Sequence, residues 1–475
     1  MDCKSLLNEN KIKVKLNRLI RILLWLFVIS SVITWTACNH LEWRGSAIPK
    51  LVWNKSGSQS DKVNQQRKTQ TPVDNHKVNI NESFKAPYWT SYRGPNSEGI
   101  YKEQPISTNW PKEGPKVVWR KLIGDGHSSF SIAKGLAFTI EQQDENEVIA
   151  AFSVKNGEIK WKYEYPAKFE EYFGGIGPRS TPTWNNDSLY VLGAEGHLNS
   201  LDANSGKVLW QKNIVEENKS EVPYWGVSTS PFIYKESLIL SPGGQKNNAI
   251  IALNKESGEV IWRKHNGNQV YSTPTLFNIL NEEQLIVALE GKILSINPNN
   301  GELHWSHKWK INVNNHNIAQ PSQLNDDTLL VSAGYGTGAE AFQIIKDGSS
   351  MRTKTIWKSK LLKTKFSSTV FWDGFIYGLN ESRLVCLNAK DGSLKWRGKK
   401  YGYGKILAAS GHLIILGDSG DLALVEMNPN TFTEKNEFKA LKGGRTWNYP
   451  ALANGLLFVR NSHEMACFDL RLKSD

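Results

Sequence analysis

One short phrase recurs along these 475 residues, and few folds can accommodate it. An apolar run leads into Asp/Asn-x-x-x-Gly, and a Trp follows shortly after. It reads Leu201-Asp-Ala-Asn-Ser-Gly206 to Trp210, then Leu253 through Gly258 to Trp262, Ile296 through Gly301 to Trp305, and Leu387 through Gly392 to Trp396. A looser copy runs from Phe152 through Gly157 to Trp161. Self-similarity at a period of roughly 40–50 residues means a stack of equivalent units rather than one irregular core.

Each unit reads as β. Apolar and polar residues alternate over short runs, β-branched and aromatic residues are frequent, and no long stretch after residue 90 has helical periodicity. Residues 180–212 illustrate the pattern, with strands expected at 180–184, 189–192 and 197–201 and a fourth carrying Val208-Leu-Trp210. The Asp202 to Gly206 turn suits the chemistry, because Asp bonds its own backbone and Gly accepts a positive φ. Four antiparallel strands per repeat make a propeller blade.

The innermost strands align on Ser180-Thr-Pro182, Thr229-Ser-Pro231, Ser272-Thr-Pro274, Ala319-Gln-Pro321, Ser367-Ser-Thr369 and Asn448-Tyr-Pro450. Ser128-Ser-Phe130 and Gly404-Lys-Ile406 fit by spacing, which makes eight blades, with seven or nine the alternatives if the fifth or seventh unit is misread. Fourth strands carry Trp119, Trp161, Trp210, Trp262, Trp305, Trp357 and Trp396, and the seventh unit has a degenerate one near Phe432. Val117-Val-Trp119 precedes any inner strand, and the last unit ends at Leu470 without a fourth. The two are expected to pair and close the ring, which removes exposed sheet edges. The fold class is therefore all-β, an eight-bladed propeller over residues 88–475.

These repeats resemble the PQQ-like β-propeller superfamily, which holds the BamB-like outer-membrane assembly proteins and the quinoprotein alcohol dehydrogenases. The likeness covers roughly residues 88–472. Trp89-x-x-Tyr92-Arg-Gly-Pro95-x-x-x-Gly99, Gly177-Pro-Arg179-Ser-Thr-Pro182 and Gly334-Tyr-Gly-Thr-Gly338 look like a bacterial subgroup of that superfamily. A propeller of this kind specifies a scaffold and leaves its function open.

The net charge of +12 is unevenly spread. Residues 1–87 hold 14 Lys/Arg and six Asp/Glu, or +8, which leaves +4 for the propeller. No nucleic-acid partner is expected from so modest a charge. Residues 1–21 form a basic segment. Residues 22–38 are apolar and read as either a signal anchor or a lipoprotein signal with Cys38 as the lipidation site. Cys38 follows Trp35-Thr-Ala37, which departs from a lipobox where Leu is usual. Residues 39–87 are polar and read as a disordered linker. Either anchor tethers the propeller to a membrane on its extracytoplasmic, periplasmic side. Cys386 and Cys467 occupy one strand position in different blades and read as small buried hydrophobes.

Catalytic signatures are sparse. PQQ dehydrogenases of the superfamily show a vicinal Cys pair and a Ca²⁺ held by carboxylates and an Asn. This chain has no Cys-Cys pair, no Cys-x-x-Cys-His and no His-x-x-x-His. A PQQ-dependent oxidoreductase with Ca²⁺ is the alternative function rather than the first reading, and no metal ligands are assigned. A polysaccharide-binding propeller is the second alternative, suggested by Trp184, Trp225 and Trp372.

A binding site is expected at one mouth of the central channel. Three positions before the shared Pro stand His127, Arg179, Ser228, Tyr271, Ile318, Phe366, Tyr403 and Trp447, a column too varied for a purely structural position. Trp225, His316, Lys365 and Arg445 lie just upstream. The expected site residues are His127, Arg179, Trp225, Tyr271, His316, Lys365, Tyr403, Arg445 and Trp447. Cations among aromatic rings suit a small acidic or sugar-like ligand, or a protein partner in the envelope. Plugging of the channel is the competing reading of the same rings.

Overall fold

Each copy of the repeated phrase folds as a hairpin turn in the computed structural model, which describes residues 19–32, 41–42, 50–51, 59–69, 86, 88–312 and 317–472. Asp202 Oδ1 accepts the N–H groups of Asn204 and Ser205 at 3.2 and 2.7 Å, and Gly206 N–H donates to the Asp202 carbonyl at 2.8 Å with φ +73°. Asn254 receives the same two side-chain bonds in its turn, and Asn388 receives the first of them, from Lys390 N–H at 2.9 Å.

The turns join eight sheets, seven of four strands and one of five. Their first strands are Ser131–Ala133, Thr183–Asn185, Phe232–Tyr234, Thr275–Ile279, Ser322–Asn325, Val370–Trp372, Lys405–Ala409 and Ala451–Ala453, defining blades 1 to 8. First strands of neighbouring blades adjoin, so they line the axis. The ring closes as the sequence predicts: Lys116–Leu122 is the fourth strand of blade 8, antiparallel to Glu464–Asp469 with Trp119 opposite Cys467. Cys386 and Cys467 are free and buried, and burial pushes the Cys386 thiol up to about 11.

The tryptophan of each phrase does not pack on its own turn. Trp119 lies on Gly157 of the following blade, Trp161 on Gly206, Trp210 on Gly258, Trp262 on Gly301 and Trp357 on Gly392. Any Cβ at those glycines would enter the indole. The ring nitrogens of Trp119, Trp161, Trp210 and Trp357 donate to backbone carbonyls of the same turns at 2.7–2.9 Å. Trp and Gly are thus two halves of a lock between blades. Blade 7 lacks the Trp half. Its fourth strand is Glu434–Lys439, beginning two residues beyond Phe432, and Asn436 takes the Trp place. Asn436 Nδ2 donates to the Pro111 carbonyl at 2.8 Å, and Trp110 meets Phe438 edge-on at 6.2 Å.

The stretch 88–107 crosses the far end of the channel. Trp89 and Thr90 carbonyls accept from Ile132 and Trp184 of blades 1 and 2. Arg93, only 2 % exposed, donates to Gln320 Oε1 of blade 5 at 3.2 Å and to the Thr369 carbonyl of blade 6 at 2.7 Å. Ile100–Tyr101 then pairs in parallel with the first strand of blade 7, and Ser107 N–H donates to Leu470 of blade 8. The Trp-x-x-Tyr-Arg-Gly-Pro motif is therefore a strap. Gly99 serves it directly, since a Cβ there would lie 2.8 Å from the Arg93 guanidinium.

The reading of 39–87 as a linker needs correction at Gln59–Lys68, which forms a ten-residue helix. It docks on the closure seam through polar contacts. Gln59 Nε2 donates to the carbonyls of Ile123 and His463 at 2.9 and 2.8 Å, Gln66 Oε1 accepts from Leu122 N–H at 2.9 Å, and Arg67 pairs with buried Glu141 at 2.7 Å. Val63 is its one buried apolar residue. With a single apolar anchor, no periodicity could announce it.

The chain divides into two units, residues 1–56 with Tyr172–Gly174 and the remainder. In the first, residues 19–32 are helical and expose their apolar side chains. Among the described residues no helix is long and apolar enough to cross a membrane. Cys38 lies outside the described residues.

Candidate functional site at the channel mouth

An innermost strand has one free edge, and its N–H groups need acceptors that no neighbouring strand supplies. The residue just before the shared Pro meets this need. Ser129, Thr181, Ser230, Thr273, Gln320, Ser368, Lys405 and Tyr449 occupy that level in the eight blades. Thr181 Oγ1 accepts from Ser129 N–H, Ser230 Oγ from Thr181 N–H, Thr273 Oγ1 from Ser230 N–H, and Ser368 Oγ from Gln320 N–H, at 3.0–3.2 Å. Hydroxyls passed from blade to blade thus make a girdle round the axis. Lys405 has no acceptor to offer, and Ser368 N–H bonds instead to the Tyr449 hydroxyl from two blades away.

Above the girdle, at the mouth, stands the variable column. Phe366 touches Trp447, Tyr403 and Trp225, with centroids 4.7, 5.4 and 6.3 Å apart. Trp225 also meets Tyr271 at 5.3 Å and Tyr335 at 6.3 Å, and His127 meets Trp447 at 5.1 Å. Rings from every blade but the second therefore join in one cluster across the mouth. Each is half-buried, so the cluster both fills the opening and keeps an outward surface. Plugging and binding are compatible here.

Cations sit among these rings. Lys365 Nζ lies 4.4 Å from the Tyr403 centroid, 5.0 Å from Tyr335 and 5.3 Å from Phe366, and burial lowers its pKa. Arg445 lies 4.9 Å over Trp447. Arg179 lies 4.5 Å over Phe169, donates to the carbonyls of Gly175 and Gly177, and stands 3.5 Å from the Glu171 carboxylate. Burial pulls the Arg179 guanidinium down to about 10, with Glu171 opposing and Arg445 adding to the shift. Of the expected site residues, His127, Arg179, Trp225, Tyr271, Lys365, Tyr403, Arg445 and Trp447 surround this mouth, while His316 lies outside the described residues. Tyr335 and Phe169 join them from loops. The Gly334–Gly338 loop gave no signal for Tyr335 beyond its aromatic tip.

A Ca²⁺–PQQ site would need a carboxylate and an Asn turned to the axis beside Arg179. The two carboxylates that act on Arg179 are not free for it. Glu171 is paired with Arg179, and Glu147 accepts from the Tyr165 hydroxyl and Ala194 N–H, with burial raising its pKa. Nor do the three tryptophans of the polysaccharide reading share a face. Trp184 lies within one first strand and Trp372 ends another, both at the strap end, Trp225 stands at the mouth, and Trp184 is packed edge-on by Tyr88 at 5.5 Å.

The family model described as outer membrane protein assembly factor BamB matches residues 108–229 and 145–397. The outer membrane protein assembly factor BamB of Yersinia pestis is 22 % identical over 318 residues, covering 58 % of this chain and 70 % of that protein. The structure of BamB from Moraxella catarrhalis superposes with a TM-score of 0.55 at 11 % identity, over 75 % of this chain and 99 % of that one. The quinohemoprotein alcohol dehydrogenase of Comamonas testosteroni superposes at 0.58 and 12 % identity, over 88 % and 85 %. The two structures share the fold with this chain, and at such identities the likeness carries nothing further.

Proposed function

Because the chain belongs to the PQQ-like propeller family described as outer membrane protein assembly factor BamB, we propose that it is a binding or scaffolding propeller, tethered to a membrane by residues 22–38 and displayed on the extracytoplasmic side. Its partner is an envelope protein that docks at the channel mouth. The observation that carries this reading is the asymmetry of the two ends. The strap buries Arg93 and covers the far end, whereas the mouth presents half-buried rings and the Lys365 ammonium. Aromatic and cationic groups of this kind are the usual anchors of a protein interface. A partner with acidic and apolar side chains would complement them.

Site-specific photo-cross-linking in intact cells tests the docking face. A cross-linker at Tyr403 or Trp225 is expected to capture one envelope protein, and one at Val260 on an outer strand is not. Equal capture from both positions would overturn the mouth as the docking face. The anchor is tested separately by protease added outside the cytoplasmic membrane, which should digest the propeller. The oxidoreductase alternative predicts Ca²⁺-dependent PQQ binding that is lost in Arg179→Ala. Calorimetry is expected to show no such Ca²⁺ dependence.

A further inference from the structure

Lys405 is the one cation in the hydroxyl girdle, and it is 4 % exposed. Its Nζ lies 5.2 Å from the Tyr449 centroid and 5.9 Å from Phe366. Among the described residues no carboxylate or carbonyl accepts a hydrogen bond from it, and burial alone accounts for its depressed pKa. A buried ammonium calls for a counter-charge, and two ring faces meet that need only incompletely.

The girdle has more to offer an anion than this ammonium. The oxygens of Thr181, Ser230, Thr273 and Ser368 already accept backbone N–H groups. Among the described residues their own hydroxyl protons donate to nothing, so four O–H donors and one ammonium stand at one level of the channel without acceptors. A level that carries these five donors is complementary to negative charge.

We propose that the girdle is an anion site, in which Lys405 and the hydroxyls hold the carboxylate of a small acid whose apolar body lies against the ring cluster of the mouth. A single ammonium with neutral donors matches a monovalent carboxylate better than a divalent phosphate. Phe366, which contacts both Lys405 and the mouth rings, links the two halves of the site. The site stands apart from the scaffolding reading, since its failure would leave cross-links from the mouth unchanged.

Benzoate and its neutral counterpart benzamide are the probes, titrated calorimetrically into the full-length chain in detergent micelles. Benzoate is expected to bind roughly tenfold or more tightly than benzamide, the ratio a charge-assisted pair produces. Lys405→Met should erase that preference while melting at a higher temperature than the parent at pH 6. Lys405→Arg keeps the charge and should keep some of the preference, so the test survives if the Met variant does not fold. Equal affinity for the two probes, a preference that persists in Lys405→Met, or no saturable benzoate binding would each overturn the proposal and leave Lys405 satisfied by its rings and water.

Discussion

Gly206 shows how much one backbone conformation can carry. Its φ is +73°, and a Cβ there would lie 2.5 Å from the Trp161 ring. Gly348 has φ +59° with nothing within 4 Å. Gly206→Ala should therefore cost about 2–5 kcal/mol, left-handed strain plus overpacking, and Gly348→Ala only about 1–2 kcal/mol. Denaturant titration of both variants checks the difference. Lys405 makes a prediction of opposite sign. Burial drops its pKa from 10.5 to about 7. Below that value the folded chain bears the full penalty of a buried charge. Between 7 and 10.5 the unfolded chain keeps a proton that the folded chain has shed, so this group makes stability rise with pH, by about 1.4 kcal/mol per unit. Lys405→Met should be the more stable protein at pH 6, with an advantage that shrinks from pH 7 to 9 in parallel denaturant titrations. Glu103, raised to about 7 chiefly by burial, is common to both chains and drops out of the difference. Neither residue was legible as special. Gly206 is visible in the repeat but its partner is not, because the Trp four residues on belongs to a different contact. Lys405 stands one level below the variable column, in a row where five of the eight residues are Ser or Thr.

Among the elements, the helix Gln59–Lys68 departs furthest from its sequence. Arg67 reaches Glu141, a carboxylate inside blade 1 that also accepts from Gly124 N–H at 2.8 Å. Burial would push the Glu141 carboxyl up, but the Arg67 guanidinium outweighs it, with Arg460 assisting, and the net shift is downward. The pair stabilises the fold above the ordinary carboxylate range, and that contribution fades as pH falls through the lowered folded value. Arg67→Leu leaves a buried carboxylate with less compensation and should cost about 3 kcal/mol, most of it recovered by adding Glu141→Gln. A double-mutant cycle by thermal or chemical unfolding measures this. Strands were far more legible than this helix, because alternation and turn chemistry mark a strand locally. A helix held by Gln, Ser and Arg side chains leaves no such mark.

For the whole molecule, ring closure was readable from arithmetic: a fourth strand without a blade at one end and a blade without a fourth strand at the other. The strap was not readable, since its contacts join residues more than two hundred positions apart, as Arg93 joins Gln320. A chain beginning at residue 123 would leave blade 8 with three strands and an exposed edge. Light scattering should find it self-associating, whereas the full chain should not self-associate through that edge. The order of attachments has a mechanical consequence. Any pull transmitted along the chain from before Gln59 meets the seam helix first, then the strap, and only then Lys116–Leu122. The closing strand lies alongside Glu464–Asp469, so the pairs in its ladder would share a lengthwise tug rather than separate in succession. A pull on the leading end would thus meet two successive brakes ahead of the clasp, and tension that frees the helix need not open the ring.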